Sequence, residues 1–173
     1  WQLLGPFPNI DGEGFDTAYP PEIDGVQLDR TYKGVFEAIG WKELGPGGDR
    51  ISLDNRFEPS ENVVAYAACW VHSDRSRPVT LAVQCDDRAK VWVNRRLVME
   101  TEDSLSSLFR EQLGRAELAA GWNTVLVKIG QQRYGWSFEL RLLDDRFRAM
   151  PEGVTVTATM PEGPPVSRSS PLP

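Results

Sequence analysis

The stretch PVTLAVQCDDRAKVWVNRRLVM, residues 78–99, decides how this chain is read. Val79, Leu81 and Val83 alternate with Thr80, Ala82 and Gln84; Asp86-Asp87-Arg88 interrupts the run; Val91, Trp92 and Val93 resume it before Asn94-Arg95-Arg96 turns the chain again. Period-two alternation between Asp- and Asn-rich breaks marks antiparallel strands joined by turns. Residues 121–142, GWNTVLVKIGQQRYGWSFELRL, repeat the pattern, with Val125, Val127 and Ile129 on one face, and Trp136, Phe138, Leu140 and Leu142 alternating with Ser137, Glu139, Arg141 and Leu143. Short antiparallel strands in series stack into layers and present loops, and loops are where binding groups collect.

Working outward, VVAYAACWV at 63–71 is apolar on both faces and is expected to be a central strand. Residues 1–7 read as a short strand closed by Gly5-Pro6, 8–24 as a long loop rich in Gly, Pro and acids, and 32–44 as an irregular strand or strand pair. GPGGD at 45–49 is a turn, 51–57 a brief strand, and 154–159 a last edge strand. The one helical expectation is 102–117, where Leu105, Leu108, Phe109 and Leu113 recur at three- and four-residue steps; an excursion loop fits equally. The chain is thus expected to be all-β, an antiparallel sandwich or jelly roll with at most one short helix, forming a single domain over 1–160. The Pro/Ser-rich residues 161–173 read as a linker or tail to a neighbouring domain.

At 173 residues, with six tryptophans and 40% hydrophobic residues, the chain can bury a substantial core. A net charge of −6 and the lack of a basic stripe argue against a nucleic-acid partner. No run approaches the ~20 apolar residues of a membrane span. The opening WQLLGPFPN shows neither an initiator Met nor a signal peptide, which reads as a mature or excised domain. Cys69 and Cys85 fall in adjacent strands, and both a disulfide and two free buried thiols remain open.

Catalytic chemistry finds little support. His72, the chain's one histidine, stands at a strand end before SDRSR, a solvated position more than a triad position. Neighbouring Asp86 and Asp87 could serve glycoside hydrolysis, but adjacent turn residues normally point apart and cap backbone N–H groups. Hard-cation chemistry is best placed in the 9–22 loop, where Asn9, Asp11, Glu13, Asp16 and Glu22 supply oxygens and Gly12 and Gly14 allow the backbone to curl; the spacing is not that of an EF-hand, and a solvated acidic loop is the alternative.

DDRAKVWVNRRLV (86–98), GWNTVLVKI (121–129) and WSFELRL (136–142), with the opening WQLLGPFPN and FDTAYPPE (15–22), resemble the galactose-binding-domain-like β-sandwich modules appended to secreted bacterial polysaccharide-active enzymes. The chain departs by carrying Arg95-Arg96 where the turn after Asn94 usually has glycine. The resemblance implies a jelly-roll sandwich, an extracellular or periplasmic location, a structural Ca²⁺ in some members, and a non-catalytic polysaccharide- or oligosaccharide-binding role. A structural or protein-interaction sandwich without a sugar ligand, and a small glycan hydrolase or lyase, are the alternatives.

Sugar rings offer apolar C–H faces to flat aromatics while their hydroxyls bond to Arg, Asp, Asn and Gln. Gln131, Arg133, Tyr134 and Trp136 bring those groups into one strand connection, with Asp87 and Asn94 as further ligand candidates. Trp136 also begins the apolar face of its strand, and Trp70, Trp92 and Trp122 read as core; Trp41 is undecided.

Overall fold

The computed structural model describes residues 1–45, 48–101 and 110–161. The double-sided apolar strand is the centre of the molecule: β6 (Val63–Ser73) pairs along its whole length with β11 (Gly121–Gln131) and on its other flank with β1 (Gln2–Pro8). Beyond β1 lies β4 (Lys42–Glu43); beyond β11 lie β8 (Arg88–Val93) and β9 (Arg96–Glu100). The final strand β13 (Val154–Thr157) joins β6 in line with β1, Thr157 opposing Trp70 where Gln2 opposes Ala68. A second sheet holds β10 (Gln112–Leu118), β7 (Arg77–Asp86), β12 (Ser137–Leu143) and β5 (Ile51–Ser52) in that order, and every pairing is antiparallel.

Alternation decides which side each residue faces. Val63, Ala65, Ala67, Cys69 and Val71 point between the sheets, where they meet Val125, Val127 and Ile129 of β11 and Leu81, Val83, Phe138 and Leu142 of the second sheet. The chain is therefore an all-β sandwich. Val64, Tyr66 and Ala68 point the other way into a second cluster with Leu4, Trp92 and Leu126. That face is covered by the N-terminal segment, which contributes Phe15, Tyr19, Val26, and Tyr32 and Ile39 of the hairpin β2 (Thr31–Lys33) and β3 (Ala38–Gly40). A third layer explains why β6 is apolar on both sides.

Several expectations need correction. The 8–24 loop carries a 3-10 turn at Ile10–Gly12 and two single-turn helices, α1 (Glu13–Asp16) and α2 (Pro20–Asp24), because Phe15 must reach the sheet. The helix expected at 102–117 is absent over its described C-terminal part: Gln112–Leu118 is strand, and 102–109 lies outside the described residues. Ala116 and Leu118 are buried while Leu113 is 54% exposed, so the true period is two, and pairing to the open edge of β7 outweighed the three- and four-residue spacing of the leucines. Strand β1 continues past Gly5-Pro6 to Pro8, the register to β6 shifting between Leu4 and Phe7 where proline cannot donate. Part of the 45–49 turn and residues 162–173 of the tail also lie outside the described residues. Cys69 and Cys85 are both buried and not joined by a disulfide.

Candidate functional site

The β7–β8 turn and the β11–β12 connection meet at one end of the sandwich. Asp87 accepts a hydrogen bond from the Gln132 backbone N–H (2.7 Å) through Oδ2 and donates its own N–H to the Gly130 carbonyl (3.1 Å). Asp54, just after β5, accepts the Trp136 N–H (2.7 Å), and the Trp136 carbonyl accepts from Leu53 (2.8 Å). Asn62 donates to the Gln132 carbonyl at 3.0 Å. Gln131 is buried, and its Nε2 donates to the Tyr134 carbonyl at 2.9 Å, closing the loop on itself. The loop is thus held at both ends, and between them Tyr134 stands 89% exposed with φ 73°. A left-handed conformation at a non-glycine residue costs of order 1 kcal/mol and persists only where its surroundings fix it.

Beside that ring lies a carboxylate cluster. A Cβ on Gly135 would come within 2.9 Å of Asp86 Oδ2, so the absence of a side chain at 135 lets the carboxylate approach the loop. Desolvation, then the neighbouring Asp87 carboxylate with which it shares a hydrogen bond, and then Asp54, hold Asp86 above its ordinary value of 3.8. Asp86 and Asp87 therefore do not point apart, as turn neighbours were expected to; the bonds Asp87 makes to Gly130 and Gln132 draw it to the β11 side. Around the rim sit Asp54, Asp86, Asp87, Arg133 and Tyr134: hydrogen-bonding groups beside one exposed ring.

Two expected ligand residues lie elsewhere. Trp136 is 0% exposed, packed against Phe57 at 5.4 Å between ring centroids, and fills the core as the first apolar residue of its strand's inward face. Asn94 lies at the far end of β8, about 20 Å from Asp87 at roughly 3.3 Å per residue. There it has φ 50°, accepts the Thr124 N–H (3.0 Å) and donates to Asn123 Oδ1 (2.7 Å). Its side-chain bonds and its tolerance of positive φ make the turn without the usual glycine.

The five oxygen donors of the 9–22 segment are each engaged or dispersed. Asn9 is buried, accepting the Phe15 N–H (2.8 Å) and donating to the Gln131 carbonyl (3.2 Å), so it braces the N-terminal segment against the candidate loop. Asp16 pairs with Lys90 (3.0 Å), which holds its carboxyl below 3.8. Glu22 accepts from Lys128 Nζ (2.8 Å) and from the Tyr66 hydroxyl. Asp11 and Glu13 are exposed. Among the described residues no three His, Cys, Asp or Glu side chains converge as a metal site.

Sequence reasoning missed Lys128. Its side chain is 0% exposed, bonded to Glu22 and to the Thr17 carbonyl (2.7 Å), with the rings of Phe15, Tyr19 and Tyr66 at 5.3–5.8 Å from Nζ. Burial pushes the ammonium below its ordinary 10.5 while Glu22 pulls it back up; burial and Glu22 together push the Tyr66 phenol well above the usual tyrosine range. The available signal was Tyr66 itself, an apolar-face residue directly opposite Lys128 in the register.

No protein-family model matches the chain, and no curated protein matches it. Two solved structures are similar in outline: a β-glucosidase from Kluyveromyces marxianus in complex with glucose (12% identity, TM-score 0.49, covering 84% of this chain and 16% of that one), and a family 35 carbohydrate-binding module from an environmental isolate (15% identity, TM-score 0.38, covering 57% of this chain and 72% of that one). The chain thus spans 16% of the glucosidase's length. No helix among the described residues is long and apolar enough to cross a membrane.

Proposed function

We propose that this chain is a non-catalytic carbohydrate-binding module, extracellular or periplasmic, that attaches a larger protein to a polysaccharide through the Tyr134 rim. The supporting observation is the exposed Tyr134 ring, fixed in a left-handed conformation beside Asp86 and Asp87 on a loop held by the bonds of Gln131, Gln132 and Trp136. A pyranose would lay its C–H face on the phenol ring and donate hydroxyls to carboxylate oxygens of Asp86, Asp87 and Asp54, while Arg133 donates to a ring or hydroxyl oxygen. Asp54 and Asp87 each already accept a backbone N–H, a role that shapes the loop and suits binding better than proton transfer. The carboxylates and the net charge of −6 favour neutral glycans over uronates or sulfated chains.

Affinity electrophoresis against neutral soluble polysaccharides tests the reading. Tyr134→Ala and Arg133→Ala are expected to weaken retardation at least tenfold in apparent Kd, about 1.4 kcal/mol. Retardation unchanged in both variants refutes the site. If no glycan in the panel retards the protein, the rim is instead a contact for a neighbouring domain.

A further inference from the structure

The outer face of the first sheet is covered by the N-terminal segment around Tyr66, Trp92 and Leu126, and its opposite end carries an exposed indole. Trp122, on β11, is 39% exposed, the most exposed of the six tryptophans. Its register partner on β6 is His72, and the partner of His72 on the other flank is Thr155 of β13, so the three form one row across three strands. The imidazole meets the indole edge-on, ring centroids 5.1 Å apart and planes at 71°, which sets the tilt of the exposed ring.

The backbone under this indole is fixed from both sides. Asn123 is buried; its Oδ1 accepts the Ala119 N–H (2.8 Å), and its Nδ2 donates to the carbonyls of Ala119 (2.9 Å), Gly121 (3.1 Å) and Val71 (3.3 Å). On the other side Thr124 N–H is taken by Asn94. An exposed indole normally retains rotamer and backbone freedom that a ligand must remove; here the backbone, at least, is already ordered.

We propose that Trp122, His72 and Thr155 form a second saccharide platform, specific for a neutral sugar ring, at the far end of the molecule from Tyr134. From Trp122 to Gln131 strand β11 advances nine residues, about 30 Å at roughly 3.3 Å per residue. The row's chemistry selects the occupant. A flat ring is flanked by an imidazole that donates and accepts and by a hydroxyl that does both, with no carboxylate, lysine or arginine in the row. A specific protein partner needs about 800 Å² per side, far more than one half-covered indole offers. A nucleic acid or an anionic membrane surface needs lysine or arginine side chains, which the row lacks. One sugar ring matches both the size and the charge. With the Tyr134 rim occupied as well, a single polysaccharide would be held at two points, which raises avidity without new contacts.

The test compares the wild-type chain with Trp122→Thr, Trp122→Phe and Tyr134→Ala on native gels containing xylan, mixed-linkage β-glucan or galactomannan, with thermal unfolding to verify the fold. Trp122→Thr is expected to lose at least fivefold in apparent affinity, and Trp122→Phe, which keeps a ring, to lose less than twofold. A neutral oligosaccharide is also expected to protect wild-type tryptophan fluorescence from iodide, and to do so equally in Tyr134→Ala. This readout stands even if Trp122→Thr fails to fold. Unchanged retardation of folded Trp122→Thr, absence of iodide protection, or retardation by none of the three polysaccharides overturns the platform. Loss in Tyr134→Ala alone overturns it while leaving the rim reading intact.

Discussion

Replacing Glu22 by alanine is expected to destabilise the protein at pH 7 by about 3 kcal/mol. In the folded state Lys128 is fully buried and has two oxygen partners, Glu22 Oε1 at 2.8 Å and the Thr17 carbonyl at 2.7 Å. Breaking a buried pair from one side leaves an uncompensated charge and costs about 3–5 kcal/mol. The surviving Thr17 carbonyl and three nearby ring faces keep the loss at the lower end of that range. For a chain of this size a loss of that order lowers Tm by roughly 6–12 °C. The sign of the pH dependence follows from Lys128. Burial already depresses its folded value below 10.5, and removing Glu22 takes away the main group that raises it. Between the depressed folded value and 10.5 the unfolded chain binds more protons, so stability rises with pH across that window. The Glu22→Ala deficit, measured by urea midpoints from pH 7 to pH 10 relative to wild type, is expected to shrink as pH rises. Glu22→Gln combined with Lys128→Met should return to within about 1 kcal/mol of wild type, since a buried pair and an apolar replacement are often near equal. A single-mutant loss below about 1 kcal/mol with a flat pH profile would refute the burial argument.

Two further outcomes follow from named residues. Tyr134→Gly should raise stability by roughly 1 kcal/mol by relieving the left-handed φ of 73°, as a rise in urea midpoint, while removing the ring proposed to bind sugar. An unchanged midpoint shows that the loop carries no backbone strain there. Cys69 is buried, and desolvation pushes its thiol up to about 12, so it should resist a thiol-reactive disulfide reagent at pH 8 in the folded protein and react promptly in denaturant. Prompt labelling without denaturant would contradict its burial between the sheets.

The alternation in 78–99 and 121–142 identified β7, β8, β11 and β12 because each has one face between the sheets, the situation in which period two is clearest. The doubly apolar 63–71 likewise announced a central strand. The same reasoning could not anticipate Lys128. In an alternating strand, a lysine between Val127 and Ile129 occupies the slot normally left to solvent, and only the third layer of residues 9–41 buries it. Nor could it anticipate the bond Glu22 makes, whose partner lies 106 residues away, while the acids around it suggest a local cation site. Asn94 and Asp87 resemble each other in sequence as polar turn residues, yet they sit at opposite ends of β8, and only strand direction separates them. Trp122 was assigned to the core because it starts an apolar strand; its position on the outer face, past the end of the N-terminal cover, decides otherwise.

The pairing of β1 with β6, and of Glu22 with Lys128, has a consequence for biosynthesis. The N-terminal segment of this domain is made well before its partners: Leu4 before Tyr66, and Glu22 before a lysine more than a hundred positions downstream. Until β11 has emerged, the nascent chain carries an acidic flap with nothing to close upon. A fragment ending ahead of Lys128 would lack both the cation that seats that flap and the strand that flanks β6, and so would present its aromatic side to chaperones.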